Sequence, residues 1–214
     1  MSKDYSPNDV LENYRASFPD EIGDLFYNLF NQVSALHIDW KNYRSLYGTS
    51  PERIMLLNSS ASSFFRHLER IMRHYVIMAI ARLTDRAQMR NKENASLQKL
   101  LIMIKPHVED KFYNELESLL SNLEASSSKA RKLRNAILAH SDFAVALHYN
   151  SEPIEGISRE EVENILGQIR VFMNEIEFYF KNSQVAYEQV ITSSDAERLL
   201  KVLSVSKTLE KRLK

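Results

Sequence analysis

Cysteine is absent from this chain of 214 residues, and glycine and proline are scarce, at four and five copies. With no cysteine there is no disulfide framework and no thiolate zinc site, and a reducing compartment is the natural setting. So little glycine and proline argues against a many-turned β architecture and for long helices. The longest uninterrupted apolar run is Tyr75 to Ala81, far short of the roughly 20 residues that span a bilayer. The opening MSKDYSPNDVLENYRASFPD lacks the apolar core of a signal peptide, so a cytoplasmic protein without membrane contact is expected. Net charge is also missing. The 28 Lys and Arg balance 28 Asp and Glu, which excludes a global basic field for non-specific nucleic-acid binding and leaves room only for a local patch. No Gly-rich phosphate loop and no cluster of His with acidic residues is present, so neither a cofactor nor a metal is expected.

What is there reads as helix. The composition, 44% hydrophobic and 26% charged, is ordinary for a globular protein, and the length fits one domain with an appended helix. From Ile22, apolar residues recur at Leu25, Phe26, Leu29, Phe30, Val33 and Leu36, then Trp40 and Tyr43, which predicts a long first helix ending near Gly48. Trp40, Tyr43 and Tyr47 read as core or dimer packing. Ser50 and Pro51 supply an N-cap and a first-turn proline. The stripe Phe64, Leu68, Ile71, Tyr75 and Met78 then predicts a second helix reaching about Thr84, with a bend or close packing at 58-NSSASS-63.

A polar loop over 86–96 precedes a short helix around Leu97 to Ile104, and Pro106 restarts a helix through Leu123, with 125-ASSSK-129 as a joint. After a loop at 149–156, Ser158 with Glu161 forms a capping box for a helix carrying Val162, Ile165, Ile169, Phe172, Met173, Ile176 and Phe180. Ser194 with Glu197 forms another before a C-terminal helix with Leu199, Leu200, Val202, Leu203, Val205 and Leu209. The fold class is all-α.

Charge is uneven within the neutral total. Residues 66–92 carry an excess of five positive charges and residues 151–180 an excess of five negative ones, either solvated faces that offset each other or a basic surface suited to RNA phosphates. Extending the stripe through Tyr75 and Met78 lands on Arg82 and then Asp85, so both charges are expected to face inward, as an ion pair or the lining of a polar cleft. His67, Arg70 and His74 share one helical face, but no further ligand completes a metal site, and a solvated or RNA-facing surface is expected.

The segment 127-SSKARKLRNAILAHSD-142 carries the chemistry. Lys129, Arg131, Lys132 and Arg134 crowd its start, and Arg134 and His140 bracket five residues. On an unbroken helix an offset of six sets two side chains about 120° apart around the axis, with about 9 Å of rise between them. For these two to converge, the helix must loosen before His140 or a second copy must face the first across a twofold axis. A histidine can take the proton of a ribose 2′-hydroxyl near neutral pH, and a guanidinium can hold the phosphate. Asp142 could fix the imidazole tautomer or cap exposed backbone. From spacing alone the same residues read more readily as a solvated face ending in a histidine at a helix C-terminus.

Arg134-Asn135 followed by His140 resembles the Arg-polar-x(3 to 5)-His motif of the HEPN superfamily. The segments 40-WKNYRSLYG-48, 54-IMLLNSSASSFF-65, 82-RLTD-85, 94-NASLQKLL-101 and 134-RNAILAHSD-142 are similar to its AbiU-like abortive-infection branch, most strongly over 35–145. The resemblance implies an antiparallel HEPN-type helical bundle over 1–185 with a C-terminal helical extension over 186–214. It implies a homodimer and a metal-independent endoribonuclease in a toxin or antiphage defence context, with an antitoxin or defence-system protein as partner. Arg134 would contact the scissile phosphate of RNA, Asn135 would be its polar partner, and His140 the catalytic or positioning histidine. Arg82, Asp85, Asp142 and Arg131 would be supporting or RNA-contacting residues. A HEPN module that binds RNA or a protein without cutting is the alternative, and a helical adaptor with internal ion pairs at 82, 85 and 134 a third reading. HEPN toxins silenced by a partner nucleotidyltransferase carry Tyr two residues after the histidine, whereas Asp142 stands there, which argues against that control.

Overall fold

The computed structural model describes residues 6–89, 91–139, 156–189 and 195–212. Among these the α-helices are α1 (Pro7–Ser17), α2 (Ile22–Tyr43), α3 (Pro51–Leu83), α4 (Leu97–Ile104), α5 (Asp110–Ser126), α6 (Ser128–Ala139), α7 (Arg159–Lys181) and α8 (Ala196–Arg212). Two short strands, β1 (Gln88–Met89) and β2 (Lys92–Glu93), pair antiparallel with Gln88 opposite Glu93. The all-α class holds. Among the described residues no helix is long and apolar enough to cross a membrane.

The chain forms two compact units, residues 1–33 with 77–185, and residues 34–76 with 186–214. In the first, α5 buries Leu116, Leu120 and Leu123, and α7 buries Val162, Ile165, Leu166, Ile169, Phe172, Met173 and Ile176, both at helical spacing. The two helices run antiparallel. Phe112 stacks on Tyr179 with ring centroids 4.5 Å apart at one end, and Gln168 Nε2 donates to Ser126 Oγ at the other. α1 is bound closely to α2 at Gly23, where a Cβ would lie 2.9 Å from the Tyr14 carbonyl oxygen, so only glycine fits. α7 opens on the expected capping box of Ser158 and Glu161 and closes on Asn182 in the left-handed region (φ 50°), whose N–H donates to the Phe178 carbonyl.

Lys129 Nζ donates to Glu161 Oε1 at 2.7 Å, tying α6 to the first turn of α7. That bond, followed by the Ser158 backbone N–H and hydroxyl, holds the Glu161 carboxyl down at about 2 against an ordinary 4.5. Because the folded value lies below the unfolded one, the contribution is complete above about 4.5 and is lost as pH falls toward 2. A carboxyl chemical-shift titration is expected to place the Glu161 midpoint near 2, and Lys129→Ala is expected to return it toward the ordinary value. A wild-type midpoint near the ordinary value would remove this tie.

In the second unit, α2 ends in a π-helical turn over Arg44–Gly48, and α3 bends at Ala61 (φ −162°, ψ 72°), within the serine-rich stretch. Leu46, Leu57 and Phe65 bury against Ala196 and Leu200 of α8. Arg53 clamps Glu197 through two bonds of 2.6 and 3.0 Å. Glu197 is therefore an ion-pair partner, and the N-cap of α8 is Asp195, whose Oδ1 accepts from the backbone N–H groups of Glu197 and Arg198. Ser194 lies outside the described residues. Trp40 and Tyr43 are buried and stacked at 5.3 Å, as core aromatics.

The buried stripe of α3 keeps Leu68, which packs against the cluster of Leu46, Leu57 and Phe65 as expected, but elsewhere it runs one residue on from the expected one. Phe65, Val76, Ile80 and Leu83 are buried, whereas Phe64, Ile71 and Tyr75 are exposed. One residue is about 100° of helix rotation, so the continuation of the true stripe reaches Leu83 and not Arg82. Arg82 is exposed, and its expected inward placement does not hold. Arg70 Nη2 donates to His67 Nδ1 at 2.9 Å on the exposed face, and no group of metal-ligating side chains occurs among the described residues.

Candidate functional site: a polar cleft at Arg134

α3 stops at Leu83, and the chain turns through Thr84 and Asp85 into the β1–β2 hairpin. At the stop the Ile80 carbonyl accepts twice from Thr84, from its backbone N–H at 3.1 Å and from its hydroxyl at 2.9 Å, so the last turn of α3 is closed on itself. Opposite, the serine joint lets α5 end at Ser126 and α6 begin at Ser128, with Ser127 fully buried between them. The two arms enclose a cleft of about 560 Å³ lined by Thr84, Asp85, Gln98, Glu124, Arg134 and Asn135, among others.

Arg134 Nη1 donates to Asp85 Oδ2 at 2.5 Å, and the two side chains are only 14% and 15% exposed. Its Nε donates to Asn135 Oδ1 at 3.2 Å, and Asn135 itself stands exposed at the rim. The guanidinium is thus oriented by a carboxylate on one side and an amide on the other, with donors left to face the cleft. Arg131, one turn earlier, spends its donors on main-chain carbonyls. Nη2 reaches the Glu124 carbonyl at 2.6 Å, and Nη1 reaches the Thr84 carbonyl at 3.5 Å and the Thr84 hydroxyl at 3.2 Å. It caps the C-terminal ends of both α3 and α5, where orphan carbonyls and the helix dipoles favour a cation.

The fold therefore brings together Arg134, Asn135, Asp85 and Arg131 and leaves the Arg82 side chain exposed to solvent. His140 and Asp142 lie outside the described residues. Two members of the cleft escaped the sequence reading. Gln98 accepts from the Ala87 N–H at 2.7 Å through Oε1 and donates to Glu124 Oε1 at 3.3 Å through Nε2. Gln98 lies within the segment 94-NASLQKLL-101 but was given no role there, and Glu124, outside every quoted segment, lies seven positions before Arg131, so only the turn between α5 and α6 brings it to the cleft.

What the arrangement offers is a preoriented guanidinium in a recess with carboxylates and amides around it. A phosphate can accept from the remaining guanidinium donors, and a base or sugar can be read by the amide and carboxylate groups. No curated protein and no solved structure matches the chain. The sequence model described as AbiU2, of HEPN type, matches residues 19–199, a span that takes in the whole cleft and reaches the start of α8. The chain belongs to the HEPN AbiU2 family.

Proposed function

We propose that this protein is a metal-independent endoribonuclease of HEPN type acting in a toxin or antiphage defence context. The observation that carries the reading is Arg134, held by Asp85 and Asn135 in a cleft large enough for a nucleotide. Arg134 would hold the scissile phosphate and offset the charge that develops on its oxygens. His140 would take the 2′-hydroxyl proton. The 2′-oxygen then attacks phosphorus and the 5′-oxygen leaves with a proton, giving a 2′,3′-cyclic phosphate and a 5′-hydroxyl. A second copy facing the first would bring two such sets to one cleft, and an antitoxin or defence-system protein would control it.

One observation favours the alternative of a recognition module that does not cut. Asp85 already occupies one edge of the guanidinium, so a phosphate there meets a carboxylate as well as a cation. The test is cleavage of total RNA and of defined single strands in EDTA by wild type and a folded His140→Ala variant. Cyclic phosphate ends produced by wild type and absent with His140→Ala are expected. RNA bound but uncut by both would sink the ribonuclease assignment and leave recognition.

A further inference from the structure

We infer that the cleft beside Arg134 is a base pocket that selects guanine, with the Glu124 carboxylate reading the edge of the base. The inference rests on the RNA reading of the same cleft and gives it a sequence preference.

Of the two carboxylates in the cleft, each accepting one hydrogen bond among the described residues, Glu124 is the more weakly held. An ionised carboxylate offers about four acceptor positions, yet among the described residues the Glu124 carboxylate accepts only from Gln98 Nε2, at a long 3.3 Å. Arg131 lies beside it but bonds to the Glu124 main-chain carbonyl and leaves the carboxylate alone. Asp85, the other carboxylate of the cleft, is taken by Arg134. Gln98 is kept from closing further on the carboxylate, because its Oε1 accepts from the Ala87 N–H at 2.7 Å. Glu124 therefore presents acceptors to the recess with its neighbours locked.

Among the RNA bases, guanine alone presents two adjacent donors on its Watson–Crick edge, N1–H and N2–H₂, which a carboxylate can accept side by side. Adenine and cytosine set one amino donor next to a ring-nitrogen acceptor. Uracil sets one N–H between two carbonyl oxygens. Each of these three would place a lone pair against the carboxylate. A site that accepts from such donors disfavours ligands that lack them, because a bound base shuts water away from the half-buried Glu124 carboxylate and leaves it unsatisfied. The rim supplies a face as well as an edge. Met89 of β1 is 47% exposed beside the cleft, and its thioether can lie against an aromatic ring. Arg134 in the same cleft is placed for an adjoining phosphate.

The full chain is titrated calorimetrically with GMP, AMP, CMP, UMP and IMP. IMP keeps N1–H and lacks the N2 amino group. GMP is expected to bind roughly tenfold or more tighter than each of the others, IMP included. Glu124→Gln, which swaps one acceptor for a donor, is expected to level the series, and Glu124→Asp, which withdraws the carboxylate by one methylene, to weaken GMP alone. Equal binding of GMP and IMP by wild type overturns the inference without any variant, as does a guanine preference that persists in Glu124→Gln. Single-guanine oligoribonucleotides incubated in EDTA separate this from the ribonuclease reading. Guanine-selective binding with every strand uncut keeps the pocket and removes the nuclease. Cleavage that ignores base identity, with no selectivity among the mononucleotides, keeps the nuclease and removes the pocket. Selective binding of GMP with no affinity for guanine-containing strands assigns the pocket to a free nucleotide and overturns its role in RNA reading.

Discussion

Replacing Arg134 with alanine is expected to lower RNA cleavage by about two to three orders of magnitude, the scale seen when one preoriented donor to a developing oxyanion is removed. The same substitution is expected to cost about 1–3 kcal/mol of stability, because Asp85, 15% exposed, loses the cation that solvates it. These two effects have different remedies. Adding Asp85→Ala to Arg134→Ala is expected to restore much of the stability, since it removes the stranded carboxylate, and none of the cleavage. Single-turnover cleavage and urea unfolding of the two single variants and the double variant form a cycle that separates the two effects. A folded Arg134→Ala protein that cuts within tenfold of wild type would take Arg134 out of the chemistry.

The second large effect is expected far from the cleft in sequence terms, at the buried carboxylate of Glu177, which is 2% exposed. Tyr14 Oη donates to both of its oxygens at 3.1 and 3.2 Å, and Ser183 Oγ donates at 3.1 Å. Lys181 Nζ lies 3.5 Å from Oε1 and 3.9 Å from the centre of the Tyr14 ring. Lys181 thus neutralises the buried charge and covers the ring that satisfies it. Lys181→Met keeps most of the packing but strands the carboxylate, and a loss of about 2–4 kcal/mol is expected. For a chain of this size that lowers Tm by roughly 5–15 °C. Adding Glu177→Gln removes the charge while keeping acceptors for Tyr14 and Ser183, and is expected to recover most of the loss. A Lys181→Met protein that melts with wild type would show that the hydrogen bonds alone hold Glu177.

Apart from α1, whose Ser6 and Asp9 cap went unread, the helices were legible because their signals are local. Ser50 with Pro51, and Ser158 with Glu161, mark starts of α3 and α7 through caps set within one turn, and the serine-rich stretch at 58–63 carries the bend at Ala61. The face of α3 was legible only in part, at Leu68. Phe64, Ile71 and Tyr75 are as apolar as Phe65, Val76 and Ile80, so periodicity gives a stripe but composition does not say which neighbouring stripe packs. That ambiguity of one residue turned Arg82 inward on paper and outward in the fold. Asp85 lies past the end of α3, so the turn and not the helical period sets its direction, and Arg134 holds its carboxylate. Glu197 misled for a related reason. Its position suits a capping box, but Arg53, 144 residues away in sequence, takes the carboxylate, and Asp195 does the capping. Glu124 carries no local mark, and Gln98 stands in a family-like segment without one that assigns it a role, since what makes them a site is the meeting of α4, α5 and α6.

The two units also differ in when they can exist during synthesis. The one that holds the cleft has all its residues by position 185, whereas the other encloses Leu46, Leu57 and Phe65 with Ala196 and Leu200. On a ribosome, those three apolar side chains leave the exit tunnel and must then wait for α8, on the order of ten seconds at usual elongation rates. During that interval they are a standing target for chaperones and for other nascent chains. The last helix is the piece that ends this exposure.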